Sequence, residues 1–124
     1  MIFVLDLPWP PSMNHYWRRV GSKTLISREG REYRERAEAA VKLRCASFGG
    51  LLPLPGKLAV SIRAWVPDRR RRDLDNLLKP LLDALQHAGV YDDDGEIDLL
   101  LIRRREVLPG GLVTVSVGQL RKTP

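Results

Sequence analysis

Cysteine is nearly absent from this sequence. Cys45 stands alone, so no internal disulfide can form and a cysteine-rich zinc site is excluded. A lone thiol of this kind is expected to be buried as a small hydrophobe. Histidine is scarce too: His15 and His87 are far apart and lack metal-ligand spacing. His87 is expected at a helix end, where the dipole favours a cation. Aromatic residues make up only 6% of the chain, so aliphatic side chains must do most of the packing. No stretch approaches the roughly 18 consecutive apolar residues of a membrane-spanning helix. The opening Met1–Pro11 lacks a basic n-region, and Asp6 and Pro8 interrupt its apolar run, which speaks against a signal peptide. A soluble cytoplasmic protein with no membrane partner is the expectation. Missing as well are a G-x-x-x-x-G-K-[ST] loop, a G-x-G-x-x-G turn and a G-x-S-x-G elbow. Acyl transfer and nucleotide-cofactor chemistry lose ground accordingly. There are no repeats, low-complexity tracts or interdomain linkers.

What remains is a chain of 124 residues with 44% hydrophobic content, enough to bury one core. Its 21 basic and 15 acidic residues leave a net charge of +6, which suggests a polyanionic partner. Ile2–Leu7 reads as a strand, stopped by Pro8-Trp9-Pro10-Pro11 because prolines lack the ladder donor. Residues 12–27 read as a long exposed loop with a short extended piece at Thr24–Ile26. Ser27 is the expected N-cap of a helix running to about Ser47. A Pro/Gly connector, Leu51–Gly56, leads to Lys57–Val66, whose strict alternation marks a strand. Leu74, Leu77, Leu78, Leu81, Leu82 and Leu85 then form one apolar helical stripe that ends at Gly89. Pro80 lies inside that helix, where a kink is expected. Ile97–Val107 and Leu112–Gln119 read as two strands of a hairpin turning at Pro109-Gly110-Gly111. The fold expected is α+β (mixed α/β): a single domain over residues 1–124, a mixed sheet of about four strands with two main helices packed on it.

Chemistry concentrates at the start of the leucine-striped helix. Asp73 and Asp75 are two apart, which on one continuous helix would swing them about 200° from each other. At a strand-to-helix junction they can converge on an oxygen-rich spot of the kind Mg²⁺ takes: one or two carboxylates, waters and substrate phosphates. N-capping and pairing with Arg69, Arg70, Arg71 and Arg72 is the plainer reading of the same acids. Asp92, Asp93 and Asp94 arrive from the far end of this helix, and at ~20 Å for about fourteen residues they reach Asp73 only if the sheet brings them back. In isolation they read as a solvated turn. An EF-hand centred on Gly95 fails, because its first and twelfth positions would be Val90 and Leu101. Four consecutive arginines, with Arg103–Arg105 and the loop residues Arg18, Arg19 and Lys23, would draw phosphate groups to this centre.

The run Pro67-Asp68-Arg69-Arg70-Arg71-Arg72-Asp73-Leu74-Asp75-Asn76, followed by Lys79, Asp83-Ala84-Leu85, Gly89 and Asp93-Asp94, resembles the RusA family of Holliday junction resolvases. So does the opening Leu7-Pro8-Trp9-Pro10-Pro11-Ser12 with Asn14, Tyr16 and Arg18. The resemblance implies a small homodimeric, Mg²⁺-dependent endonuclease, with Mn²⁺ able to substitute, that nicks four-way junction DNA symmetrically and comes from a bacterium or phage. By position it implies Asp73, Asp75 and Asp94 as metal-binding catalytic acids, Lys79 as the essential lysine and Asp93 as a supporting acid. Arg69, Arg70, Arg71 and Arg72 would bind DNA phosphate, joined by Asn14, Tyr16, Arg18 and Lys23. Physically, Lys79 lies one helical turn after Asp75, placed to steady a developing phosphorane charge or simply to pair with that acid. Tyr16 and Trp17 would stack on unpaired bases or pack back on the sheet. A basic binding module without catalysis, or a nuclease for flaps, is the alternative reading.

Overall fold

A computed structural model describes residues 2–120. Alternation in Ile2–Leu7 (β1), Leu58–Trp65 (β4) and Leu112–Gln119 (β6) puts Phe3, Leu5 and Leu7, Leu58, Val60, Ile62 and Ala64, and Val113, Val115 and Val117 on one buried sheet face. Two helices close that face. Ser27 caps Arg28–Cys45 (α2), its hydroxyl accepting the Gly30 N–H at 3.0 Å, and α2 buries Tyr33, Ala37 and Val41 at four-residue spacing. Asp75–His87 (α3) buries Leu77, Leu81, Ala84 and Leu85, and it runs unbroken through Pro80, which is itself buried in the core.

The four-stranded sheet has the order β1-β6-β4-β5, with β5 at Ile97–Arg105. β5 lies parallel to β4, reached through α3, whereas β6 runs antiparallel between β1 and β4. The expected β5–β6 hairpin does not form: the two strands sit on opposite edges of β4. A central strand must satisfy backbone groups on both sides, and the connection after β5 is tied over its end by the Leu108 N–H to the Val66 carbonyl, 2.8 Å. Gly110 and Gly111, both with positive φ, turn the chain back into β6.

Residues 12–27 are more ordered than a long loop. They form a short helix, Met13–Tyr16 (α1), and a two-stranded hairpin of Trp17–Val20 (β2) and Lys23–Ile26 (β3) turning at Gly21-Ser22. Gly30 lets α2 start hard against this unit, since a Cβ there would meet the Tyr16 carbonyl at 2.3 Å. Cys45 is exposed rather than buried. It ends α2 beyond the covered stripe of Tyr33, Ala37 and Val41, while its neighbour Arg44 reaches the sheet by donating to the Val4 carbonyl at 2.7 Å.

Candidate metal centre and nucleic-acid interface

The segment between β4 and α3 is organised by Asp68. Its carboxylate accepts from Arg72 Nη1 at 2.6 Å and from the Arg70 N–H at 2.9 Å, and those two bonds hold it at a pKa of about 2. Arg104 on β5 donates to the Arg72 carbonyl at 2.6 Å and ties the run to the sheet edge. The arginines therefore spend their pairing on Asp68, leaving Arg69 and Arg71 exposed and without an acid partner among the described residues.

Asp73 and Asp75 are not used in this way. The N-cap of α3 is Leu74, in helical conformation and without a side-chain cap. Both carboxylates are exposed, with no hydrogen bond or ion pair to any described residue. The capping-and-pairing reading of these acids has no contact to support it.

Asp75, Lys79, Asp83 and Gln86 follow one another at i, i+4, i+8 and i+11, a single strip along α3. The acidic turn folds back onto that strip. Tyr91 is buried and donates to the Leu82 carbonyl at 2.6 Å, and the Asp94 N–H donates to Gln86 Oε1 at 2.9 Å. Asp93 caps the single 3-10 turn Asp94–Glu96 by accepting the Gly95 N–H. Asp94 is pushed above the usual carboxylate range, first by burial and then by the neighbouring acids Asp93 and Asp83, with Lys79 pulling the other way. Lys79 forms no ion pair with Asp75 or any other described residue.

The acids thus come from two stretches, Asp73/Asp75 at the head of α3 and Asp93/Asp94 beside its later turns. Lys79 stands on the strip between them. Among the described residues no three carboxylate, histidine or cysteine side chains converge into a group that could hold a metal ion. The donor chemistry nonetheless suits a hard cation. Asp73 and Asp75 carry carboxylate oxygens without partners among the described residues, and the like charges around Asp94 are relieved by only one lysine. Mg²⁺ in particular needs only one or two protein carboxylates when water and phosphate complete its shell.

A cavity of about 600 Å³ opens beside Asp73. Trp9, Pro10 and Pro11 line it together with Arg70–Arg72, Asp73 and Asn76. His15 also lines it, its Nδ1 hydrogen-bonded to Ser12 Oγ at 2.9 Å. The sequence reading did not assign the Trp-Pro-Pro wall or Asn76 a role.

Of the expected DNA-contacting residues outside the arginine run, Asn14, Arg18 and Lys23 are exposed on α1 and the β2–β3 hairpin. Tyr16 is not: its side chain is fully buried. Its hydroxyl donates to Asp83, and Arg34 Nε donates to the same hydroxyl at 3.1 Å. Arg34 also bonds Asp83 Oδ2 through Nε at 3.0 Å and Nη2 at 2.9 Å. Burial, then the Asp83 contact, pushes the phenol well above its usual range. An aromatic ring with a polar tip has here found a fully satisfied place in the core, so base stacking by Tyr16 is ruled out. Trp17 packs edge-on against it at 4.5 Å.

A family model described as Endodeoxyribonuclease RusA matches residues 8–116. A crossover junction endodeoxyribonuclease rusA of Enterobacteria phage HK97 is 42% identical over 115 residues, covering 92% of each chain. The proteins of that name from Escherichia coli K12 and Enterobacteria phage 82 are 35% and 36% identical, covering 95% of both chains and 94% and 93% respectively.

Proposed function

We propose that this chain, which belongs to the RusA family of endodeoxyribonucleases and is a crossover junction endonuclease, cuts four-way DNA with a divalent cation held first by Asp73 and Asp75, with Asp94 as the further metal-binding acid. The observation that carries the site is the pair of exposed, unpartnered carboxylates, Asp73 and Asp75, set at the head of a helix among arginines. Mg²⁺ is the cation this oxygen-only donor set favours, with Mn²⁺ able to replace it. When bound, such a cation supplies Lewis-acid polarisation of the phosphoryl oxygen and a more acidic water.

The protein's own residues do the rest. Arg69 and Arg71, free of acid partners, grip backbone phosphates on either side of the cut. Lys79 offers a compact charge between the two acid stretches and steadies the developing charge on the scissile phosphate. Asp94, from the second acid stretch, is assigned as the further ligand and Asp93 as its support, with Asp93 Oδ1 accepting the Gly95 N–H and shaping the turn that carries Asp94. Asn14, Arg18 and Lys23 extend the contact to a neighbouring arm. A homodimer suits a junction with two equivalent strands, since a twofold pair offers two equivalent sites and paired nicks. The DNA of a bacterial or phage-infected cytoplasm is the natural setting, and no helix among the described residues is long and apolar enough to cross a membrane.

The test is cleavage of an immobile four-way junction in Mg²⁺, Mn²⁺ or EDTA, with linear duplex and a flap alongside. Symmetric, metal-dependent nicks near the crossover, absent on duplex, are expected. Equal or better cutting of the flap would move the substrate, and no cutting in any metal would remove the proposed catalytic role from the acids.

A further inference from the structure

The geometry points to a receptor for one unstacked nucleobase of the junction in the cavity between Trp9 and Asn76. This rests on the junction-cutting reading above and specifies how the crossover is held. At about 600 Å³ the cavity falls within the ~300–1,000 Å³ of small-molecule clefts. A base extruded at a crossover needs an apolar face to replace its lost stacking and a polar edge to replace its lost pairing.

Both are present. Trp9, Pro10 and Pro11 supply a rigid apolar wall. Trp9 is pre-seated, because its side chain packs so closely on Gly111 that a Cβ there would come within 2.8 Å of the Trp9 Cβ, with the Pro67 Cβ at 3.2 Å from the same point. A wall already ordered in the free protein loses little entropy on binding. Asn76 lines the same cavity, half-buried and with no side-chain hydrogen bond to a described residue, so its amide donor and acceptor are both uncommitted and can serve a base edge. Arg71, without an acid partner, stands at the same cavity for the attached phosphate. Asp73 lines this cavity too, so a base seated there delivers its own backbone to the head of α3.

The experiment is a cycle of junction affinities by gel shift, with Ca²⁺ in place of Mg²⁺ so that strands stay intact. Each nucleotide flanking the crossover is replaced in turn by an abasic site, and binding is compared for wild type, Asn76→Ala and Trp9→Phe. One abasic position is expected to weaken wild type by about tenfold, as loss of one stacked base would. Asn76→Ala is expected to shrink that penalty below about threefold, and Trp9→Phe, which keeps an aromatic wall, to retain most of it. A penalty under about twofold at every position in wild type, or an equal penalty in Asn76→Ala, would overturn the proposal. Thermal melts of the variants separate loss of fold from loss of the pocket. The junction-cutting reading fails separately, through absent metal-dependent cleavage by wild type.

Discussion

The side chains divide sharply by whether they are already spoken for. Asp68 is committed to Arg72 and the Arg70 N–H, and a carboxylate held at about 2 when folded contributes stability that is full above its ordinary value near 3.8 and lost as pH falls through about 2. A carboxyl-carbon NMR titration is expected to place its midpoint near 2, and Arg72→Gln is expected to move it up towards the ordinary value. Tyr16, Asp83 and Arg34 are committed to each other. Tyr16→Phe leaves the Arg34–Asp83 pair intact but removes two hydrogen bonds, so urea unfolding is expected to show a loss of about 1–3 kcal/mol with junction affinity unchanged. Weakened junction binding with no loss of stability would return Tyr16 to the DNA surface. Two acids beside four arginines marked Asp73 and Asp75 as candidates from the sequence, but that they stand exposed and uncapped at the head of α3 was legible only in the structure. The buried network left no mark in the sequence, because Arg34, Tyr16 and Asp83 are separated by 18, 49 and 67 positions and nothing local links them.

Elements were legible where a period was long and one-sided. The alternation of Lys57–Val66 and the leucine stripe from Leu74 to Leu85 gave a strand and a helix close to those observed at Leu58–Trp65 and Asp75–His87. Pairing was not legible, since two strands joined by a Pro-Gly-Gly turn look like a hairpin whether or not a third strand lies between them. Of the hairpin at Trp17–Ile26 only the extended piece at Thr24–Ile26 was legible, and its partner was not, because the strands are four residues each and mostly exposed, so no buried face imprints an alternation. The observed strand order places a special demand on Gly111, which has φ +75° and touches Trp9. Gly111→Ala is expected to cost more than ~1 kcal/mol in a denaturant melt, because the residue has neither the backbone freedom nor the space it needs. A true β5–β6 hairpin with a tolerant turn would show almost no effect.

Across the whole molecule, the basic surface and the acid stretches perform separable tasks. A net charge of +6 with unpaired Arg69 and Arg71 predicts junction affinity that falls steeply with salt. Replacing either arginine by alanine is expected to reduce the slope of log affinity against log salt by about 1. An unchanged slope would move the phosphate grip elsewhere. Sedimentation over a range of concentrations is expected to give a dimer, and a monomer throughout would remove symmetric nicking. The acids, by contrast, are expected to contribute to cutting and little or nothing to holding. The most direct measurement is therefore binding in Ca²⁺ and cleavage in Mg²⁺ of one four-way junction, by the same preparations of wild type and Asp75→Asn. Cleavage lost by at least about a hundredfold with junction affinity equal or tighter is the predicted result. Cleavage retained within a few-fold by Asp75→Asn would contradict the account.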